Sequence, residues 1–369
     1  MSGPATSTVR WGKRADMVVH SSEPFNAEPP ASALAGNVLT PMDTFYARNH
    51  GAIPHVDPST WRLTVGGLVG RELSLSLAEL RTDYAHQEIV ATLQCAGNRR
   101  AALLSVRDLP GEEPWGPGAT STARWTGVSL ADVLGTAGVG AGAEHVEFAA
   151  GDVSPTADPP QAYGGSIDLA KARSREVLLA WGMNGQALPD AHGGPVRVVV
   201  PGYIGARSVK WVDRVSVRAQ PSDNYFQAVA YRLLPPEADP ERSLPGEGLS
   251  LGPVALNTAI LRPADGARLT AGSTEITGYA FAGDARRVVR VDVSADGGAT
   301  WRQAFLDEPA SAWAWTHWRI RVDLAAGARE ILARAWDSTG ALQPASPEHV
   351  WNPKGYVNNS WARITVHAE

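Results

Sequence analysis

An α+β chain, with a mixed α/β domain followed by an immunoglobulin-like β-sandwich, is predicted by three observations. Short strand-like runs alternate with short helical pieces from "WRLTVGGLV" (61–69) to about residue 218. A stretch dense in proline, glycine and glutamate, "LLPPEADPERSLPGEGLSLGP" (233–253), then breaks the pattern. Beyond it, over about 115 residues, strand patterns alone remain. A chain of 369 residues also exceeds what one hydrophobic core commonly supports.

In chain order, residues 1–40 are rich in Pro, Ser and Ala without periodicity and are expected to lie on the body as an N-terminal arm. A catalytic or binding domain is expected over 41–235, a linker over 236–253 and the sandwich over 254–369. In the first domain, Ser76-Leu77-Ala78-Glu79 fits a capping box at a helix start, where serine and glutamate satisfy each other's backbone N–H groups. Ser129-Leu130-Ala131-Asp132 is a close relative before "VLGTAG", whose glycines end the helix, and Asp168 can cap "LAKARSR". The apolar runs "RVVVPG" (197–202) and "SVKWVDRVSVRA" (208–219) predict buried strands. In the sandwich, Val289, Val291 and Val293 alternate with Arg290, Asp292 and Ser294, and "ADGGATW" turns the chain. Trp318, Ile320, Val322 and Leu324 alternate with Arg319, Arg321 and Asp323.

A formal charge of −5, from 33 basic and 38 acidic side chains, argues against nucleic acid or anionic lipid as a partner of the surface as a whole. No apolar run reaches the roughly 18 residues of a membrane span, and the start of the chain has no secretory h-region, so a cytoplasmic location is expected. Lys13-Arg14 resembles the basic part of an export signal, but polar residues and prolines follow it. The 13 tryptophans outnumber the 6 phenylalanines, and most are expected to fill cores.

Cys95, in "TLQCAGNRR" (92–100), is the only cysteine. A single thiol can make neither an internal disulfide, an iron–sulfur cluster nor a structural zinc site. Three roles stay open: a buried small hydrophobe; a nucleophile activated by one of His50, His55, His86 or His192; or a soft ligand to a metal whose other ligands come from a cofactor. Its surroundings bear on the choice. Arg99 and Arg100 follow closely, Arg48 and His50 share a face of "FYARNHG" (45–51) if that segment is extended, and "HGGPVR" (192–197) and "GARSVKW" (205–211) add further cations. Cations beside the thiol are expected to lower its pKa. Four basic clusters in one domain of an acidic protein point to a recess for a polyanionic cofactor and a small anionic substrate.

At these residues the chain resembles the sulfite oxidase family of molybdenum enzymes, in the plant-type layout without a haem domain. The resemblance runs through "EPFNAEPP", "FYARNHG", "TLQCAGNRR", "ARWTGVSLADVL", "LLAWGMNGQALPDAHGGPVRVVVPGYIGARSVKWVDRVSV", "AWAWTHWRI" and "WNPKGYVNNSWARI", in family order from about residue 23 to the end. It implies molybdenum held by one molybdopterin dithiolene and the Cys95 thiolate, in an enzyme that oxidises sulfite to sulfate by oxo transfer. It further implies cofactor contacts from Tyr46, Ala47, Arg48, Asn49, His50, Asp152, His192, Arg197, Ser208, Val209 and Lys210. Its substrate pocket would be Arg48, Arg100 and Trp115, the sandwich would form a homodimer, and electrons would pass to oxygen or an external cytochrome.

Two departures from the family are expected in that pocket. Trp181 stands where the resemblance leads one to expect a tyrosine before the x-M-N-G stretch, and Lys354 where it leads one to expect an arginine. An indole donates a hydrogen bond but cannot exchange a proton as a phenol can, and an ammonium lacks the planar fork for two oxygens. A different small substrate, an organic sulfur compound or nitrate, is therefore the alternative reading. A metal-free cysteine hydrolase or transferase, and a binding protein with a vestigial site, are further alternatives.

Overall fold

The computed structural model describes residues 10–369, so the first nine residues of the expected arm lie outside it. The rest of the arm is built into the body. Strands β1 (Val18–Ser22) and β2 (Phe25–Glu28) form a hairpin, and every residue of β2 is buried. The Glu28 carboxylate accepts from the Gly116 and Gly118 N–H groups at 2.6 and 2.8 Å, and Asn26 Oδ1 accepts from the Asn49 N–H at 2.6 Å. Such contacts join residues far apart in sequence, so no local periodicity announces them.

The first domain holds two sheets. Strands β3 (Arg62–Gly67) and β4 (Leu73–Ser76) precede helix α1 (Leu77–Asp83), β5 (His86–Gln94), β6 (Thr120–Ser129), α2 (Leu130–Ala137), β7 (His145–Ser154) and β8 (Gln161–Asp168). The short helix α3 (Leu169–Ala172) follows, then β9 (Leu178–Met183), β10 (Gln186–Ala187), β11 (Arg197–Val199) and β12 (Val212–Arg218). One sheet runs β10-β9-β6-β5 with β11 beside β9; the other runs β4-β3-β12-β7-β8, with β12 parallel to β3. Ser76 and Glu79 make the complete capping box, a device typically worth about 1 kcal/mol. Asp168 caps α3 through the Lys171 N–H at 2.7 Å. Ser129 makes no cap: its hydroxyl is buried without a partner among the described residues. Asp132, one methylene shorter than glutamate, turns instead to Arg175 at 3.5 Å. Strand β12 is covered on one face only, with Val212, Val215 and Val217 buried and the residues between them partly exposed.

Within 233–253 the chain folds back on itself, pairing β13 (Arg232–Leu233) with β14 (Leu249–Ser250). The sandwich follows. Its strands are β15 (Asn257–Arg262), β16 (Arg268–Leu269), β17 (Gly272–Phe281), β18 (Val288–Ser294), β19 (Arg302–Gln303), β20 (Phe305–Leu306), β21 (Thr316–Leu324), β22 (Gly327–Asp337) and β23 (Ala362–Ala368). They form one sheet in the order β15-β17-β21-β20 and a second in the order β16-β23-β22-β18-β19. Ile276, Val291, Val293, Trp318, Val322, Ile331 and Val366 fill the space between them. Val289 departs from the expected alternation. The β18–β22 register slips between Val288 and Arg290, leaving Val289 47% exposed.

The two halves share one core. Ala259, Leu261, Tyr279, Phe281, Trp315 and Tyr356 of the C-terminal half pack with Val198, Ile204 and Phe226 of the first. The loop 351–361 is pinned beside Cys95 by several bonds, including those from Arg100 Nε to Gly355 O and from the Asn358 amide to Arg99 O. Val357 N–H donates to Ala96 O at 2.7 Å, and the Arg99 guanidinium donates to Ser360 O and Trp361 O at 2.8 and 3.0 Å. Residues from the C-terminal end thereby reach the site of the first domain. No helix among the described residues is long and apolar enough to cross a membrane.

Candidate active site

Strand β5 ends at Gln94 and delivers Cys95 into a turn, where its N–H donates to Ala119 O at 2.9 Å and its carbonyl accepts from Asn98 at 3.0 Å. The sulfur accepts from the Gly97 N–H at 3.4 Å. Gly97 is needed for space, since a Cβ there would lie 2.7 Å from the Arg100 guanidinium carbon. The thiol is one wall of a recess of about 660 Å³. Tyr46, Arg48, Asn49, His50, Asp152, His192, Arg197, Ser208 and Lys210 line it too, so ten of the sequence-predicted positions, counting Cys95, meet in one place.

The recess is an unusual electrostatic environment. Arg197 spans its wall, donating to His192 O and Ser208 O, each at 2.9 Å, and burial pulls its pKa down to about 10. Burial lowers Lys210 further, with Arg197 adding to the effect, while Asp152 pulls the other way. Lys210 donates to Asn49 Oδ1 and, at 3.2 Å, to Ala191 O. Gly193, at φ +100°, lets Lys210 approach so closely, because a Cβ there would come within 2.8 Å of the lysine's own Cβ. Desolvation keeps His50 and His192 neutral, reinforced by Arg48 and Lys210 at His50 and by Lys13 and Lys210 at His192. Burial raises the Asp152 carboxyl, which Lys210 only partly offsets, and Asp152 Oδ1 has no hydrogen-bond partner among the described residues.

Buried cations outnumbering buried anions are costly unless a counter-charge arrives. A phosphate-bearing, hydrogen-bonding guest fits this donor set, and Asp152 offers an acceptor to it. No group of three or more His, Cys, Asp or Glu capable of holding a metal occurs among the described residues. Cys95 is the one thiol that lines the recess, and the cofactor-ligand reading would have it serve a metal brought in by a cofactor. Contrary to the sequence expectation, the thiol pKa is raised: burial outweighs the pull of Arg48, Arg100 and the Gly97 N–H. A bound metal would itself displace that proton.

The nucleophile reading finds no support in the histidines. His50 Nε2 lies 2.6 Å from the Tyr231 hydroxyl, and His192 Nε2 lies 2.6 Å from Lys13 Nζ. His55 pairs with Asp190, and His86 bonds Arg81 O.

Two of the expected cofactor residues are not among those that line the recess. Ala47 exchanges backbone hydrogen bonds with Ala27 at 2.8 and 2.9 Å, and the Val209 carbonyl accepts from Val198 at 2.8 Å; both side chains are buried in the core. Arg100 and Lys354 meet one step beyond the recess, at Glu112, to which they come within 3.0 and 3.6 Å. Trp115 is fully buried, edge-on to His20 at 4.6 Å, and shares an apolar cluster with Cys95. It is not among the residues that line the recess.

Trp181 corrects the sequence reading. It sits on β9 and packs against the His86 ring at 5.1 Å and under Arg81 at 5.5 Å, and it is not among the recess residues. Three phenols line the recess, Tyr46, Tyr163 and Tyr231, and the last of these comes 50 residues after Trp181 in the chain. A single π-helical turn, Phe226–Ala230, aims it inward. Tyr163, Lys13, Glu112 and Tyr356 were likewise missed. Lys13 carried a visible signal as half of a basic pair, but it points inward, bonding Met42 O and Phe45 O at 2.6 and 2.8 Å.

Comparison with known proteins agrees with this geometry. The oxidoreductase molybdopterin binding domain matches residues 50–226, and the Mo-co oxidoreductase dimerisation domain matches 252–369. Mitochondrial sulfite oxidase of Homo sapiens is 44% identical over 360 residues, which cover 95% of this chain and 65% of that protein. The chain thus spans a little under two thirds of that relative's length. Sulfite oxidase of Arabidopsis thaliana is 38% identical over 385 residues, covering 99% of this chain and 97% of its own. The crystal structure of the sulfane dehydrogenase SoxCD from Paracoccus pantotrophus superposes with a TM-score of 0.80 at 25% identity, over 95% of this chain and 88% of that one. A thiol in a cation-lined recess, two matching domains and relatives aligned over nearly the whole chain lead to one conclusion: the protein belongs to the sulfite oxidase family of molybdenum-cofactor oxidoreductases.

Proposed function

We propose that the protein oxidises sulfite to sulfate at a molybdenum cofactor whose metal is ligated by Cys95. The observation that carries this reading is the convergence of one buried thiol, the Arg48 guanidinium and the Tyr231 phenol on a single cation-lined recess. Arg197, Lys210, Ser208 and Asn49 would hold the phosphate and pterin, and Asp152 would accept from pterin N–H groups. When bound, that group supplies the oxygen-atom and electron exchange that side chains cannot.

The protein's own work is positional and electrostatic. Arg48 stays protonated: burial disfavours its charge, but a guanidinium is the strongest base among side chains and the nearby Glu113 carboxylate favours the charged form. It attracts an anion to the thiol's vicinity and orients it. Tyr231 stays neutral, because burial raises its pKa more than Arg48 lowers it, and so keeps a proton to donate. The dimerisation domain supports a homodimer in solution, which light scattering would read. Electrons would leave to oxygen or an external cytochrome. Steady-state assays with sulfite and ferricyanide, then with cytochrome c or oxygen, test the reading on molybdenum-replete protein; absence of sulfite turnover would overturn it.

Lys13 is expected to secure the cofactor from behind. Its Nζ bonds His192 Nε2 and two carbonyls, and burial pulls its pKa down to about 7. In Lys13→Met these acceptors lose their donor. Molybdenum retained after dialysis should fall by about tenfold, the lower end of losses seen when an outer-shell partner is removed. Elemental analysis of dialysed protein checks this.

A second reading keeps the cofactor and changes the substrate to a less charged sulfur compound. Glu112 favours it, because a carboxylate already occupies both Arg100 and Lys354.

A further inference from the structure

We infer that Glu112 is a specificity-determining residue, an internal carboxylate that an incoming oxyanion must displace from Arg100 and Lys354. The inference rests on the proposed sulfite-oxidising site but is tested separately from it. Arg100 is 4% exposed and its guanidinium is almost fully committed. Nε donates to Gly355 O at 3.2 Å and one terminal nitrogen donates to Glu113 O at 3.0 Å. The other terminal nitrogen is the one that faces Glu112, at 3.0 Å. Lys354, 23% exposed, approaches the second oxygen of the same carboxylate at 3.6 Å.

It is Glu112, and not the neighbouring Glu113, whose carboxylate pairs with Arg100 and Lys354; Glu113 Oε1 accepts from the Asn26 amide at 2.7 Å. Aromatic rings connect the trio to the recess. Arg100 lies 5.2 Å over the Tyr356 ring, and that ring stacks on Tyr231 at 5.5 Å. An anion approaching Arg48 and Tyr231 therefore meets two further cations whose charge is largely spent. A small dianion could take them only by expelling Glu112 toward solvent, and the carboxylate is exposed enough, at 18%, to make that exchange. Selectivity would then favour substrates that gain little from those cations, or anions strong enough to win the exchange.

The test uses cofactor-loaded protein and inorganic sulfate as the probe, measured by calorimetry so that turnover is not needed. Glu112→Gln should bind sulfate about fivefold to tenfold more tightly than the parent, a gain between those of exposed and buried charge pairs. In a sulfite assay its KM should fall by a similar factor with kcat little changed. Glu112→Ala reads the same quantity should the glutamine variant fold poorly. Sulfate affinity equal to or weaker than the parent's in both variants would overturn the inference. Failure of the parent to oxidise sulfite would remove the functional reading, while the calorimetry would still judge Glu112.

Discussion

Cys95→Ser is expected to fold and to oxidise no sulfite. The site tolerates the change structurally because a serine hydroxyl is no larger than the thiol and meets the Gly97 N–H that now reaches the sulfur at 3.4 Å. Burying a hydroxyl with a partner in place of a thiol should lower stability by about 1 kcal/mol. The chemical loss is of another order. An alcohol is a poor donor to a soft metal centre and does not ionise near neutrality, so the direct ligand is gone. Removing an outer-shell partner already costs roughly 10–100-fold, and removing the direct ligand should exceed that range. The holding residues Arg197, Lys210 and Asp152 are untouched by the substitution. Pterin should therefore remain measurable after release, while turnover disappears. Circular dichroism, thermal unfolding and released-pterin fluorescence separate these effects. Turnover like the parent's in a folded, pterin-bearing Cys95→Ser sample would remove thiolate ligation from the account.

What was legible in the sequence had short-range causes. The capping box at Ser76 is a four-residue pattern whose partners are fixed by helix geometry, and the structure contains both of its bonds. Alternation along Thr316–Leu324 shows the pleat directly, and its buried face is the one that faces the other sheet. The polar lining of the recess was legible because Arg48 and His50, or His192 and Arg197, lie close together in the chain. Hidden features depend on long-range contact. Lys13 and His192 are 179 residues apart, and Lys354 meets Glu112 only because Val357 and Arg99 pin the C-terminal loop to the Cys95 turn. The misplaced phenol has the same origin. Trp181 lies beside a recognisable stretch, but its strand turns the side chain toward His86, whereas Tyr231 is brought in by a π-helical turn that periodicity cannot show.

Tyr231→Phe should lower sulfite turnover by about 10²-fold while leaving the fold intact. Phenylalanine keeps the ring that stacks on Tyr356 at 5.5 Å and lies near Phe226, so apolar packing is conserved. What disappears is the hydroxyl 2.6 Å from His50 Nε2. His50 is held neutral by burial, and so carries a single ring proton. With that proton on Nε2, the imidazole donates to the phenol oxygen and leaves the O–H free to donate into the recess, beside Arg48. With the proton on Nδ1, the phenol is spent on the histidine and has nothing to offer an anion. The first arrangement is the one that makes Tyr231 useful. A preorganised donor of this kind, in a site shielded from water, is commonly worth about 10²-fold or more in kcat. The loss should fall mainly on kcat, because Arg48 still attracts and binds the anion. Nitrogen-15 chemical shifts of His50 report the tautomer independently of activity. A Tyr231→Phe enzyme that keeps parent-like kcat, or a His50 ring protonated at Nδ1, would show that the phenol closes the recess without serving the reaction.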